Sequence, residues 1–270
     1  MVEAITDPSK QPVPAERDDF FVGYMPVPAR LSRWLKRVVA VLGAMVLIAA
    51  SVIAALQTDP GDAVWKIDEV ESWEGVLIAR PYPMLVVMQS DGTMRTHLLV
   101  SEGKQGAAQR LPVYDCERVR VKGTLIHRDG RHMIELLSTE EGFELLSGEA
   151  PAENLRITSS LKWNAVELRG EIIDPKCFLG AMKPGRGKTH KACAALCLRG
   201  GIPPMFVSED SQGRLMYHLL VLEDGRKAVE GAALETLVSH VGDAVSIKGE
   251  AAVWGDVVLL RVGPDQVARQ

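Results

Sequence analysis

Hydrophobic positions along the chain fall into two regimes. Residues 38–56 read VVAVLGAMVLIAASVIAAL, with no charge and Ser51 as the one polar side chain. As a helix this run would span roughly 28 Å, close to the hydrocarbon thickness of a bilayer. Beyond it the pattern shortens to alternating apolar and polar positions, broken by turns such as Ser90-Asp91-Gly92 and Arg128-Asp129-Gly130. That alternation, with its β-branched residues, predicts strands near 72–80, 83–90, 93–100, 117–126 and 131–138. It predicts a second set near 166–173, 204–209, 214–222, 243–251 and 256–263. Within the second set Val229, Leu234, Leu237 and Val241 fall at near-helical spacing, between the third and fourth strands.

The two sets repeat each other in order. Pro83-Met84 is followed fourteen residues later by His97-Leu98-Leu99-Val100, and Pro204-Met205 at the same spacing by His218-Leu219-Leu220-Val221. Gly92 corresponds to Gly213. Gly75-Val76-Leu77-Ile78 corresponds to Gly170-Glu171-Ile172-Ile173, and Val119-Arg120-Val121-Lys122-Gly123 to Val245-Ser246-Ile247-Lys248-Gly249. Matches in a fixed order argue for a duplicated domain. Three strands, a helix and two strands, with Gly in the first and fourth, is the order of an OB-type barrel. The expected fold is mainly β: a single N-terminal transmembrane helix, then two tandem OB-like β-barrels at 64–146 and 160–265, the second with a Cys/His-bearing helical insert at 174–203. One sandwich of about ten strands is the competing arrangement, and the repeat argues against it.

Composition and charge then set location. The 270 residues are 47% hydrophobic, enough to bury a core, while a net charge of -4 argues against an electrostatic nucleic-acid binder. Arg30, Arg33, Lys36 and Arg37 precede the apolar run, and Asp59 and Asp62 follow it. Positive charge stays inside, which predicts a cytoplasmic tail at 1–37, a span at 38–56 and periplasmic domains on a bacterial inner membrane. Trp34 and Trp65 stand where interfacial aromatics are expected. The long stretch before the run favours an uncleaved anchor over a signal peptide. Residues 1–19, rich in Pro and charge, read as a disordered tail. Phe20-Phe21-Val22-Gly23-Tyr24-Met25 either dips into lipid headgroups or docks on another membrane subunit.

The copies differ in one informative place. Gly75 to His97 is 22 residues and Gly170 to His218 is 48, so the second copy carries about 26 extra between its first two strands. In OB folds that loop borders the binding face. The extra segment contains Cys177, His190, Cys193 and Cys197. Thr189 as N-cap and Gly200 as C′ residue would bracket a short helix. On it His190, Cys193 and Cys197, at i, i+3 and i+7, share a face, and Cys177 can fold back across a Gly/Pro-rich turn. Four such ligands suit Zn or a Cu ion. The structural alternative is a disulfide from Cys177 to Cys193 or Cys197, because thiols oxidise outside the cytoplasm and the last two are poorly placed to bond each other. Cys116 would pair with the remaining thiol or stay buried, and a redox-active thiol or cofactor contact is a further use. Lys183, Arg186, Lys188 and Lys191 make the insert basic: a solvated face, a surface for an acidic partner, or a headgroup contact.

Other apparent motifs fail. Gly185-Arg186-Gly187-Lys188-Thr189 resembles the end of a P-loop, but Met182 stands where that motif needs its first Gly. There is no C-x-x-C-H for covalent haem, and no Ser/His/Asp set or paired acids at useful spacing. His97 and His218, at equivalent positions, read as structural.

The run GEIIDPKC…GKTHKACAALCLRGGIPPMFV resembles a group of bacterial exported or membrane-anchored OB-like domains with an H-x-x-C-A-x-x-C-x-x-G-x-P pattern. Cys177, His190, Cys193, Ala194, Cys197, Gly200 or Gly201, and Pro203 or Pro204 carry it, within residues 166–263. The resemblance implies the fold and an envelope location, and assigns no activity. The leading expectation is a non-catalytic, membrane-anchored accessory subunit of a bacterial envelope or respiratory-type membrane complex. It would dock through its periplasmic OB-like domains on an integral-membrane or periplasmic protein, without nucleic acid. The insert would be locked by its cysteines, with His190 against the partner or a cofactor. The alternative is a periplasmic metal-handling protein with Cys177, His190, Cys193 and Cys197 as Cu or Zn ligands. Oligosaccharide or peptidoglycan binding would need Phe178, Phe206, Tyr217 and Trp254 as platforms on the barrel face.

Overall fold

The computed structural model describes residues 27–57, 62–111, 114–148, 155, 157, 161–222 and 226–270. The tail at 1–19 and the aromatic stretch at 20–25 lie outside the described residues. The chain divides into two compact units, Met1–Asp59 and Pro60–Gln270.

In the first unit, α1 (Ala29–Ala55) is 27 residues long with no buried residue, and its 18-residue apolar stretch has a mean hydropathy of 2.7, long and apolar enough to cross a membrane. It starts nine residues ahead of the apolar run, directly after Pro28, which carries no N–H for a further turn. Arg30, Arg33, Lys36 and Arg37 therefore belong to the helix itself rather than to a preceding tail. The Ser51 hydroxyl donates to the Leu47 carbonyl at 2.8 Å, so the one polar side chain in the run is satisfied within the helix.

The second unit holds two closed barrels of the same design. The first is built from β1 (Val64–Ile78), β2 (Met84–Met88), β3 (Met94–Val100), β4 (Glu117–Arg128) and β5 (Arg131–Leu136), with a short β6 (Phe143–Leu145). The second uses β7 (Asn164–Ile173), β8 (Met205–Glu209), β9 (Leu215–Val221), β10 (Ala244–Trp254) and β11 (Val257–Arg261), with a short β12 (Val267–Arg269). Strand order is β1-β2-β3-β5-β4 with β4 closing on β1, and β7-β8-β9-β11-β10 with β10 closing on β7. The only parallel pairings among the described strands are β3 with β5 and β9 with β11. These are OB-like barrels. A helix, α2 (Lys191–Arg199), lies in the insert, and α3 (Gly231–His240) joins the third and fourth strands of the second barrel. Two features escape the alternation. β1 starts at Val64, pairing with β4 on both sides of an irregularity between Trp65 and Val70. The three-residue β6 and β12, too short to show a period, each add to the fourth strand of their barrel.

Four repeated glycines have a common cause. A Cβ on Gly75, Gly123, Gly170 or Gly249 would lie 2.4, 2.1, 2.0 or 2.2 Å from the carbonyl oxygen of Val86, Glu135, Val207 or Arg261. Closing five strands coils them so tightly that the neighbouring backbone takes the space of a side chain.

The barrels share a core. Leu77, Leu85, Leu99, Val119, Val121 and Ile134 fill the first, and Ile172, Phe206, Leu220, Val245, Ile247 and Leu260 fill the second. The alternate positions Ile78, Met84, Val86 and Leu98 pack with Phe178, Leu179, Met205, Val207, Tyr217 and Leu219 in a third cluster between the barrels. β2, β3, β8 and β9 are thus covered on both faces, which is why their apolar runs do not alternate cleanly. Polar contacts reinforce the seam. The Tyr82 hydroxyl donates to the Leu220 carbonyl at 2.7 Å and accepts from the Ala228 N–H at 2.8 Å. The Asp256 carboxylate accepts from the Thr96 N–H at 3.1 Å. The buried Arg128 guanidinium donates to the Phe178 carbonyl at 3.1 Å and lies 4.2 Å over that ring.

Candidate metal centre

The insert leaves β7 at Asp174, whose Oδ1 accepts the backbone N–H groups of Lys176 and Cys177 at 2.9 and 3.4 Å. This capping starts a single wide turn, Cys177–Ala181, and fixes the carboxylate beside the first cysteine. The chain then loops through Gly185 and Gly187, both at positive φ, into α2. The sequence placed the N-cap at Thr189 and the C′ residue at Gly200. Instead His190 is the N-cap, without a side-chain cap, and Gly200 is the C-cap in right-handed conformation. The left-handed residue is Gly201, at φ 88. Its N–H bonds the Leu198 carbonyl at 3.0 Å and that of Ile202 bonds the Cys197 carbonyl at 3.1 Å, a Schellman closure that pins the turn carrying Cys197. Of the Gly-Gly pair, only the second residue meets the left-handed requirement.

The four predicted residues come together. Cys177, His190 and Cys193 place ligand atoms within 4.8 Å of one another, and so do Asp174, Cys177 and Cys197. The Cys177 sulfur belongs to both groups and stands 3.9 Å from that of Cys193. Two thiolates on one tetrahedral zinc would be about 3.8 Å apart. Cys177, Cys193 and Cys197 are thiols, and no disulfide connects them. Cys116 lies buried in the core between the barrels. Cys177, Cys197, His190 and Asp174 are buried, and Cys193 forms the half-exposed edge of the group.

Two of the buried donors lack partners. His190 Nε2 and Asp174 Oδ2 are 3.7 Å apart, beyond hydrogen-bond reach, and neither has another partner. Burial opposes the charge on Asp174, but the nearby His190 and the thiols of Cys177 and Cys197 outweigh it and hold the carboxyl below its ordinary value. The Cys177 thiol is pushed up by its contact with Cys197, by burial and by the Asp174 charge. Lys104, from the loop after β3, closes the exposed edge: its Nζ is 2.7 Å from the Cys193 sulfur and 3.7 Å from that of Cys197. The Cys193 contact raises the lysine pKa. Three sulfurs, an imidazole nitrogen and a carboxylate oxygen, in two overlapping groups joined at Cys177, form a donor set for a soft or borderline cation.

The first barrel covers this face of the insert. Lys176 donates to the carbonyls of Ser101 and Gly103 at 3.0 and 2.5 Å and pairs with Glu135, while the Gly106 N–H bonds the Gly200 carbonyl at 2.9 Å. Of the basic residues in the insert, Lys191 pairs with Asp243 at 2.7 Å, and Lys183, Arg186 and Lys188 are exposed. Phe178, Phe206, Tyr217 and Trp254 are all buried and offer no platform for a sugar. His97 and His218 are buried on equivalent strands. Two site residues escape the sequence reading. Asp174 had a local signal in its Asp-Pro-Lys-Cys context, whereas Lys104 lies 89 positions from Cys193 and only the docking of the barrels brings it there.

No known protein family and no curated protein matches the chain. Among solved structures, a deletion mutant of the single-stranded DNA binding protein from Thermus aquaticus is similar at 14% identity, covering 79% of this chain and 89% of that one, with a TM-score of 0.20. A likeness that slight carries no argument about function.

Proposed function

We propose that this protein is a membrane-anchored metal-binding protein whose two-barrel body holds one transition-metal ion, Zn or Cu, at Cys177, His190, Cys193 and Cys197. The observation that carries this reading is the unpartnered pair of buried donors, His190 Nε2 and Asp174 Oδ2, inside a cluster of three thiols. Leaving such groups unsatisfied costs about 1–3 kcal/mol each, and a shared cation offsets that cost. The role is binding rather than catalysis, on the periplasmic side of the membrane, with Cys193 as the edge through which an ion enters. The test is equilibrium dialysis of the reduced full-length protein, in detergent, against Zn(II) and against Cu(I). About one equivalent should be retained, and His190→Ala combined with Cys193→Ser should abolish it. Retention of neither metal by fully reduced protein overturns the reading.

The accessory-subunit reading keeps one observation in its favour: Met182 and Leu196 are exposed on the insert alongside the exposed Lys183, Arg186 and Lys188. With the cysteine face covered by the first barrel, a partner would meet that outer surface. Stoichiometric co-purification in mild detergent supports it, and a clean monomer counts against it.

A further inference from the structure

We propose that Asp174 is a ligand of this site and that it selects a borderline divalent ion, Zn(II), over Cu(I); this rests on the metal-centre reading above. The geometry of the carboxylate carries the inference. Asp174 is fully buried, at 0% exposure. Its Oδ1 is held by the backbone N–H groups of Lys176 and Cys177, which leaves Oδ2 facing the cluster with no hydrogen bond. Oδ2 and His190 Nε2 stand 3.7 Å apart. An oxygen and a nitrogen on one tetrahedral zinc, each at about 2.1 Å, would be roughly 3.4 Å apart, so a small closure brings both onto one ion. The pair is too far apart to satisfy itself and near enough to share a cation.

Donor chemistry and charge then separate the two metals. Carboxylate oxygen and imidazole nitrogen are ordinary zinc ligands, whereas Cu(I) is satisfied by thiolates and gains little from a hard oxygen. With Asp174 as a ligand, one of the two helix cysteines, Cys193 or Cys197, gives up its place in a four-coordinate site, so Asp174, the Cys177 thiolate and the remaining thiolate carry three negative charges. A divalent ion leaves one, which the Lys104 ammonium, 2.7 Å from the Cys193 sulfur, balances. A monovalent ion leaves two. In a buried site the difference matters, because uncompensated charge is costly away from water.

The experiment compares wild type with Asp174→Asn, both full-length, reduced and freed of metal by chelator. Zn(II) is titrated in competition with a chromophoric chelator, and Cu(I) anaerobically in competition with a Cu(I) chelator. Asp174→Asn should weaken Zn(II) binding by about 100-fold or more, since even outer partners of metal ligands are worth 10–100-fold, and change Cu(I) binding by less than about threefold. Unchanged Zn(II) affinity, or equal losses for both metals, overturns the proposal. So does a wild type that takes Cu(I) and not Zn(II), although the metal-centre reading would then stand. Binding of neither metal sinks that reading as well. If Asp174→Asn does not fold, zinc X-ray absorption of the wild type decides. At least two nitrogen or oxygen neighbours alongside sulfur support Asp174 as a ligand, and a single one overturns it.

Discussion

The first and second barrels share strand order, register and corner glycines, and differ most in the connection between their first two strands. In the first barrel that connection is five residues, 79–83; in the second it is 31, residues 174–204. Both reach across the seam. The short one inserts the Tyr82 ring and hydroxyl among Leu220 and Ala228 of the second barrel. The long one sends Lys176 into the first barrel, to Ser101, Gly103 and Glu135. Holding the other barrel is thus common to both loops, and the additional residues place a donor cluster against a seam that is already tight. The difference teaches that the candidate site depends on both barrels, since Lys104 reaches Cys193 from the first.

The largest expected effect comes from prying the seam open. The Gly106 backbone meets Gly200 and Gly201 so closely that a Cβ on Gly106 would lie 2.1 Å from the Gly201 carbonyl oxygen. Gly106→Ala should therefore cost about 3 kcal/mol in thermal or denaturant unfolding, as overpacking against backbone does. Gly103, three residues earlier at φ 68 with open space around it, is the control. Gly103→Ala pays only for the left-handed backbone, about 1 kcal/mol. Equal costs at the two positions would mean that the barrels are not held together as described.

The individual barrels were legible in the sequence because they are local. Alternation of period two set the strands, and the repeated His-Leu-Leu-Val runs fixed their equivalence. The seam was harder to read. Its signal was the failure of those runs to alternate, with Leu98 and Leu219 facing the other barrel while Leu99 and Leu220 face inward. An apolar run of four does not say whether its second face meets another barrel or a helix. At the site, helical spacing put His190, Cys193 and Cys197 on one face, but the cap fell one residue later than Thr189, because the loop before α2 turns at Gly187. Lys104 left no trace in the local pattern, since only tertiary docking brings it to the sulfurs.

Acidification should separate the barrels next. In the first, His97 and His132 sit edge to face with ring centroids 5.1 Å apart, and burial pushes both down to about 4 from 6.5. Arg95, His127 and Arg131 also disfavour a proton here, and Asp256 opposes them. In the second, burial likewise lowers His218, but its contact with the Phe206 carbonyl opposes the shift. Histidines with a lowered pKa in the folded state stay neutral while the unfolded chain takes up protons. Stability should therefore be intact above about 6.5 and fall as pH drops toward 4. Asp174, whose carboxyl is held low, adds a loss of the same sign in more acidic solution. Urea midpoints between pH 7 and pH 4.5 should fall less steeply in His97→Leu than in wild type, with a smaller change in His218→Leu. A wild type that gains stability on acidification would rule out the neutral histidines.

The smallest effect is the sharpest test of equivalence. Gly92 and Gly213 occupy the same position in the β2–β3 and β8–β9 turns, at φ 82 and 75, with nothing near enough to meet a Cβ. The turns match in their backbone bonds: the Gln89 N–H pairs with the Thr93 carbonyl at 2.8 Å, and the Asp210 N–H with the Arg214 carbonyl at 2.9 Å. Because only the left-handed backbone is at stake, Gly92→Ala and Gly213→Ala should each cost about 1 kcal/mol, and the same within about 0.5 kcal/mol. The shared core adds a second condition. If Ile78, Met84 and Leu98 are buried against Met205, Tyr217 and Leu219, neither barrel keeps its outer face covered once the other has unfolded. Each substitution should then shift one common unfolding transition. Two transitions, each responding to only one of the glycines, would mean that the duplicated barrels are independent and that the cluster beside Lys104 lacks the rigid support it needs.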